Sequence, residues 1–384
     1  MHLDGDDVGD EAFNLFANRF KQLFAAPNTE NLRVNLRLLT SRFDQIIKSD
    51  DAENLDNSIS RFLSICTKEP EWLDWKLVAH GQNVFKRYES SSLLGLLCYS
   101  LVGGFTAPRI VQVLFSASNL TKSRDVTYRR LLDTLEMVFN CMSSVESLQP
   151  GADNIGWKSV LRTRLIHSCI RVHLMNQSIL GSKEFCIPIN QEDLVCTLYT
   201  FSANILTVMK YFGAPLSEYD EYCYCHAWRY IGYLIGVKDE YNPCISVENL
   251  HKTYINIILP NLTFEDQSQL PSGKLARQVL DAASSRPPRY ISYLILSELS
   301  RSLLGIERAH QLGIEKSLTH RIIVWLLIFC LRFWNYFIAS RLNISNPIFH
   351  RLRQRHFEYL HLNLKLLKSS QSSEGKTNLK VNFH

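Results

Sequence analysis

A histidine and two arginines lie on one side of a long apolar helix. Residues 157–175 are apolar on nearly every face at helical periodicity, which is typical of a buried helix. Within this segment His167 follows Arg164 and precedes Arg171 at helical spacing, so the three side chains share a face. A haem would give these buried groups partners, with the imidazole on the iron and the guanidinium groups on the propionates. Carboxylates elsewhere in the chain, around an ordinary core histidine, are the alternative, and the helix taken alone favours them.

A second helix carries a short polar patch. In residues 128–142, Arg130 and Thr134 stand one turn apart and Asp133 lies beside them, while the surrounding positions are mostly apolar. Taken by itself, this patch is explained by an ordinary surface pair between Arg130 and Asp133.

Two further residues could ligate a metal, but with less support. His226 is the rival to His167 as an iron ligand, and the neighbouring Cys225 is a weaker candidate as a thiolate. Cys223 and Cys225 form a Cys-x-Cys pair without a second pair at zinc-site spacing, so no structural zinc is predicted.

Two nearby motifs have structural interpretations as well as functional ones. Asn190, followed by three polar residues at 191–193, has the composition of a helix cap, with direct contact to substrate or haem as the alternative. Gly232 and Gly236 admit a close neighbour, which is either another helix or a haem.

The composition limits the compartment and the partners. The net charge of +5 is spread over 384 residues, so no strongly basic domain indicates nucleic acid. The ten cysteines fall mainly in apolar helical stretches, where reduced cysteine behaves as a small hydrophobe. The acidic start of the chain has no apolar segment of a secretory signal. We therefore expect an intracellular protein and not a secreted one.

The elements that must position these residues are helices. Apolar residues recur at three- and four-residue spacing, with breaks at glycine and proline, and no repeat or flexible linker divides the chain. The pattern predicts helices at 13–23, 31–47, 93–101, 109–115, 128–142, 157–175, 193–212, 218–235, 246–258, 274–283, 290–303, 319–339 and 350–367.

The fold class that follows is all-α, with a single large domain of about a dozen helices. We expect an N-terminal extension or first helix at 1–30, the helical domain at 31–345, and a basic helix with a disordered tail at 346–384. The polar ends at 1–10 and 369–384 are predicted to be disordered.

Residues 322–338 form the most apolar segment. Ten uninterrupted apolar residues are followed, after Arg332, by a further apolar run. The charge disfavours a transmembrane span, so a buried core helix is the preferred interpretation. Peripheral contact with a membrane comes second, because basic residues follow the segment and could meet anionic headgroups.

Five blocks of sequence resemble a known family in their order and spacing, between Trp72 and Leu312. They are residues 99–105 with Pro108 and 111–114; Arg130-x-x-x-Thr134; Arg164-x-x-His167-x-x-x-Arg171; residues 187–194; and residues 226–237. The family is that of the latex clearing proteins, or rubber oxygenases, which includes a fungal ER-bound oxygenase that shortens a prenyl side chain.

The resemblance implies an enzyme with a haem pocket among its helices. It implies a haem b held without covalent attachment, with His167 as the proximal iron ligand and Arg164 and Arg171 beside it. Arg130 and Thr134 match the distal residues. The implied reaction is oxygenation of an apolar alkene or prenyl-like substrate with O₂.

Two departures from the family pattern concern the reaction. Asp133 stands where some latex clearing proteins have a distal lysine. No carboxylate occurs between Glu89 and Asp125, where those enzymes have a glutamate thought to act as a base. A haem protein without catalysis, or a membrane-associated helical interaction protein, are therefore the alternatives to an oxygenase.

Overall fold

The computed structural model describes residues 4–19, 43, 57–117, 123–176, 187–263, 265–286 and 290–339. All regular structure in these ranges is helical, and no strand occurs within them. The prediction of an all-α fold is confirmed. The predicted helices at 31–47 and 350–367 lie outside the described residues, apart from Phe43, and the proposed division at 30 and 345 stays a prediction.

The helices are numbered here in chain order. They are α1 (Asp7–Arg19), α2 (Asn57–Thr67), α3 (Trp75–Arg87), α4 (Glu89–Gly104), α5 (Pro108–Ala117), α6 (Arg124–Met142), α7 (Val145–Leu148), α8 (Ile155–Asn176), α9 (Gln191–Phe201), α10 (Ala203–Tyr211), α11 (Glu218–Ile235), α12 (Val247–Thr253), α13 (Pro271–Ala283), α14 (Tyr293–Leu304), α15 (Ile306–Gln311) and α16 (Leu318–Phe333). Helix α16 continues in a wider π-helical turn to Ala339.

Local sequence sets several of these boundaries. Asn190 and Ser217 begin α9 and α11 as capping boxes, in which the cap side chain and an aspartate three residues later satisfy each other's backbone N–H groups. Gly236 ends α11 at a φ of 98°, a left-handed conformation suited to glycine. The predicted helix 193–212 is two helices, because the backbone breaks at Ser202.

Two hydrophobic clusters share the interior. The first joins α3, α6, α8, α9 and α11, with Trp228, Phe139 and Leu161 among its buried members. The second joins α4, α13, α14, α15 and α16. Helix α8, which carries His167, belongs to the first cluster.

Helices α2 and α3 are not among the helices predicted from the sequence. Helix α3 packs against α11 so closely that a Cβ on Gly81 would stand 2.3 Å from the Cys223 carbonyl oxygen. The glycine and the polar residues around it obscure the helical pattern in the sequence, yet the glycine permits this contact.

The N-terminus is ordered from Asp4, contrary to the predicted disorder of residues 1–10, of which 1–3 are not described. Asp6 is only 5% exposed, and α1 begins at the next residue. This segment is held by contacts with residues far along the chain, which local composition does not reveal.

The prediction that residues 322–338 form a buried core helix is wrong. Only 17% of the apolar window in Leu318–Phe337 is buried, and Trp325 is 65% exposed. This helix is long and apolar enough to cross a membrane, and the bent pair Glu89–Gly104 with Pro108–Ser116 passes the same test when taken together. Composition reports that a helix is apolar, but not which of its faces meets the protein.

We predict that Gly81→Ala destabilises the protein by about 2 kcal/mol or more, because the added methyl group meets the α11 backbone. The matched control is Gly104→Ala, where an added Cβ would have no atom within 4 Å. We expect that control to be neutral or up to about 1 kcal/mol more stable. Urea denaturation measures both, and equal stability of the two variants would contradict the contact.

Candidate functional site

A buried ion pair fixes helix α8 to the start of the chain. The Arg164 guanidinium donates two hydrogen bonds to the Asp6 carboxylate, at 2.6 and 2.7 Å. Both residues are 5% exposed. The remaining terminal nitrogen of Arg164 donates to the Leu234 carbonyl at 3.3 Å, so the end of α11 joins the same cluster.

Arg171 makes a second connection one turn beyond His167. It is 1% exposed and pairs with the Asp10 carboxylate. It also donates to the carbonyls of Pro188 and Ile189, at 3.1 and 2.7 Å. Ile189 has a φ of 51°, which is rare for a β-branched residue, and the arginine stabilises this turn before α9.

Gln191 closes the cluster around these two pairs. Its side-chain amide donates to the Gly5 and Gly236 carbonyls, at 3.2 and 2.9 Å, and its side-chain oxygen accepts from the Lys238 N–H. Its backbone N–H donates to the Asp4 carbonyl at 2.9 Å. The contacts of this residue join the N-terminal segment to the ends of α9 and α11.

The two glycines of α11 make contacts with protein. A Cβ on Gly236 would stand 2.8 Å from a carboxylate oxygen of Asp6 and 2.9 Å from Arg164 Nε. A Cβ on Gly232 would meet Leu198 at 2.5 Å. Together with the cap at Asn190, these contacts correspond to the structural alternatives that the sequence left open.

The guanidinium donors that we assigned to haem propionates are thus engaged by Asp6, Asp10 and main-chain carbonyls. The described contacts match the carboxylate alternative. They give Arg164 and Arg171 a role in holding α8, while a contact of these arginines with haem propionates stays a prediction.

His167 lies between these two arginines, and its environment is different. Its Nδ1 atom is buried without a hydrogen-bond partner among the described residues. Burial, helped by the nearby charge of Arg171, lowers the pKa of His167 to about 4. The imidazole is therefore neutral near pH 7 and keeps its lone pair for a ligand.

The chemistry of the His167 side chain suits an iron ligand. The side chain is only half-buried, so part of it borders accessible space. The protein around the rest of it is still sufficient to shift its pKa strongly. Within the described ranges no group of three or more His, Cys, Asp or Glu residues could hold a metal ion. One imidazole from the protein is enough to hold a haem iron, because the porphyrin nitrogens supply most of its other ligands.

The rival ligands have protein partners of their own. His226 Nε2 accepts a hydrogen bond from the Asp74 N–H at 3.1 Å, and the ring meets Trp72 edge-on. Cys225 is 4% exposed, and a hydrogen bond with Cys244, together with burial, raises its pKa well above the usual value. Cys225 is thus a protonated thiol, and His226 connects α3 to α11.

The predicted distal residues lie on α6, which packs against α8. Asp133 and Thr134 are exposed and Arg130 is half-buried, while Leu132 and Phe139 point into the first hydrophobic cluster. The Thr134 hydroxyl donates to the Arg130 carbonyl at 3.2 Å. That these side chains and His167 serve one iron stays a prediction.

Asp6 and Asp10 are the site residues that the sequence analysis missed. Two signals could have found them, namely buried arginines that need anions and an N-terminus rich in aspartate. The N-terminus was predicted to be disordered because it is polar and poor in aromatic residues. Its partners lie more than 150 residues away, as the separation of 158 between Asp6 and Arg164 shows.

We predict that Asp6→Ala destabilises the protein by about 3–5 kcal/mol, because it leaves a buried guanidinium without its carboxylate. Glu11→Ala is the matched control. It removes the Glu11–Arg61 pair, whose side chains are about half exposed, and should cost at most about 1 kcal/mol. The test is chemical denaturation, and losses of similar size would argue against a structural role for the buried pair.

His167 should make the stability of the haem-free protein depend on pH. The folded chain binds a proton at this residue only near pH 4, whereas the unfolded chain binds it near 6.5. Lowering the pH through this window therefore favours unfolding, by up to about 3 kcal/mol.

The measurement is the free energy of unfolding at several pH values between 7 and 4. His167→Gln should lose less stability than wild type over this range, and His251→Gln, at an exposed position on α12, should behave as wild type. Parallel curves for wild type and His167→Gln would exclude a depressed His167 pKa.

Comparisons with known proteins agree with this arrangement of helices. The model of a family described as "ER-bound oxygenase mpaB/B'/Rubber oxygenase, catalytic domain" matches residues 88–333. A rubber oxygenase from Streptomyces sp. (strain K30) is 24% identical over 277 residues, which cover 68% of this chain and 62% of that protein. The chain thus spans less than two thirds of this relative.

A solved structure gives the same result for the fold. The latex clearing protein LCP in its closed state superposes with a TM-score of 0.69 over 93% of this chain and 90% of that one. The sequences are 17% identical, so this likeness concerns the helical fold. The matched range 88–333 contains α6 and α8, whereas Asp6 and Asp10 lie before it.

Proposed function

This chain belongs to the family of ER-bound oxygenases and rubber oxygenases, and we propose that it is a haem b-dependent oxygenase that acts on an apolar alkene or prenyl-like substrate with O₂. The observation that carries the proposal is the neutral His167 imidazole, with a buried ring nitrogen that has no partner among the described residues. In a family of oxygenases, such a residue is suited to hold iron.

In this proposal His167 would ligate the haem iron, and the N-terminal segment would keep it in place. The ion pairs of Arg164 and Arg171 lie on either side of it on α8. They resist rotation and sliding of this helix, because either movement would separate buried charges. Haem, when bound, supplies the binding and activation of O₂.

Helix α6 would provide the polar groups on the reactive side. The Arg130 guanidinium and the Thr134 hydroxyl can donate hydrogen bonds to negative charge that develops on oxygen, and such bonds are strongest where water is excluded. To do so, the hydroxyl turns away from the Arg130 carbonyl that it now contacts. Asp133, as a carboxylate, would accept a hydrogen bond and orient water or a proton.

The family and the relative that this chain resembles support an apolar substrate class. Its family is described as oxygenases that include rubber oxygenase, and its relative from Streptomyces is named for the same polymer. Aromatic and aliphatic side chains line the helices around α8. The protein would bind such a chain by contact and exclusion of water, without charged groups.

A haem-binding protein without turnover is the second candidate. Asp133 in place of a lysine and the absence of a carboxylate between Glu89 and Asp125 favour it. It shares the His167 ligand with the first candidate and differs only in whether O₂ is consumed.

We predict that the purified protein, expressed with added haem precursor, has a Soret band that His167→Ala abolishes. His251→Ala, at an exposed histidine, should keep the full band. Circular dichroism of each variant shows whether the fold is retained. A folded His167→Ala chain with a full haem content would refute the assignment.

Oxygen consumption by the reduced wild-type protein then separates the two candidates. With linear isoprenoids of increasing length, an oxygenase consumes O₂ and forms oxygenated or shortened products, and the His167→Ala variant does neither. A wild type that binds haem but consumes no O₂ with any of them is the non-catalytic haem protein.

A further inference from the structure

Helix α16 presents an apolar face to the outside of the molecule. Its exposed residues include two tryptophans and several phenylalanines, and Ile322 and Trp325 are each 65% exposed. Other exposed members are Leu326, Phe329, Phe333, Trp334, Tyr336 and Phe337. Trp325 stacks on Phe329 at a centroid distance of 6.1 Å, so the rings form a continuous surface.

The opposite face holds the helix to the protein. Val324 and Ile328 are buried in the second hydrophobic cluster. The Asn335 amide donates to Ser91 Oγ and to the Phe212 carbonyl, both at 2.8 Å. Arg332 donates to the Tyr211 carbonyl at 2.9 Å. These contacts fix which face of α16 is turned outward.

This surface is too large to be an ordinary feature of a soluble protein. The apolar window from Leu318 to Phe337 contains 20 residues, which in a helix extend over about 30 Å. Exposed apolar surfaces of this extent mark contact with a partner or a membrane.

The chemistry of the surface favours lipid. Tryptophan and tyrosine, which this face contains, are enriched at the boundary between hydrocarbon and headgroups. Exposed Lys316 and Arg321 stand at the start of the helix. The sequence after it, residues 341–384, has eight Lys and Arg against two Glu, a charge that complements anionic headgroups.

We propose that α16 docks the protein on an anionic bilayer, with its exposed face in one leaflet and its opposite face on the protein. A helix in this position enters to a depth of about 5–10 Å. It does not span the bilayer, because Val324, Ile328 and Asn335 hold one side of it against the protein along its length. The proposal does not depend on haem or on oxygenase activity.

Flotation with vesicles tests the proposal. The full chain is mixed with vesicles of phosphatidylcholine alone or with phosphatidylserine, at low and high salt. We expect binding to the anionic vesicles that weakens with salt, and quenching of tryptophan fluorescence by brominated lipid. Trp325→Phe with Trp334→Phe should remove most of that quenching while the protein still binds.

The variant Trp325→Glu with Phe329→Glu places charges on the docking face and should weaken binding by about tenfold or more. Val247→Glu changes a 60% exposed apolar residue on α12 and should bind as wild type. Wild type that fails to bind anionic vesicles overturns the proposal. Vesicle binding that the two glutamate substitutions leave unchanged also overturns it. The same holds if wild type does not bind vesicles but forms a dimer in solution that the glutamate substitutions dissociate.

Discussion

The withdrawal of the Asp6 and Arg164 charges from water is the constraint on which the site depends. A buried guanidinium is tolerated only while its carboxylate stays within hydrogen-bonding distance, and here two bonds of 2.6 and 2.7 Å meet that requirement. The same pair lies against Gly236. The residue before Asp6, Gly5, accepts a hydrogen bond from the Gln191 side chain. Helices α8, α9 and α11 are thereby held to one short segment, and the His167 ring is held with them.

The two arginines on either side of His167 on α8 have hydrogen-bond partners, whereas the Nδ1 atom of His167 has none among the described residues. The side-chain donors of Arg164, Arg171 and Gln191 are satisfied by carboxylates and carbonyls. The imidazole remains with one buried nitrogen unpaired and a pKa that keeps it neutral. A buried nitrogen without a hydrogen-bond partner lowers stability. The proposed role of His167 as an iron ligand is a physical reason to retain it.

The sequence predicted those features that depend on residues close together in the chain. The helical class, the cap at Asn190 and the shared face of Arg164, His167 and Arg171 follow from local spacing. Three features did not follow. The outward face of α16 depends on which side its neighbours cover, and the order of residues 4–10 depends on Arg164 and Arg171. Helix α3 was missed because Gly81, which weakens the local pattern, serves a contact with α11.

The distance in sequence between the partners of the buried pair also sets the order in which the molecule can assemble. Asp6 is synthesised well before its partner, because 158 residues separate it from Arg164, and its segment also needs Gln191 and Gly236. At about 5–20 residues per second, synthesis of the stretch from Asp6 to Arg164 takes about 8–32 seconds. During this interval residues 4–10 have none of these partners available, and contacts between residues so far apart in sequence form slowly. Closure of residues 4–10 over α8 therefore comes late in folding, and α8 reaches its final position only after the chain has been made through Gly236.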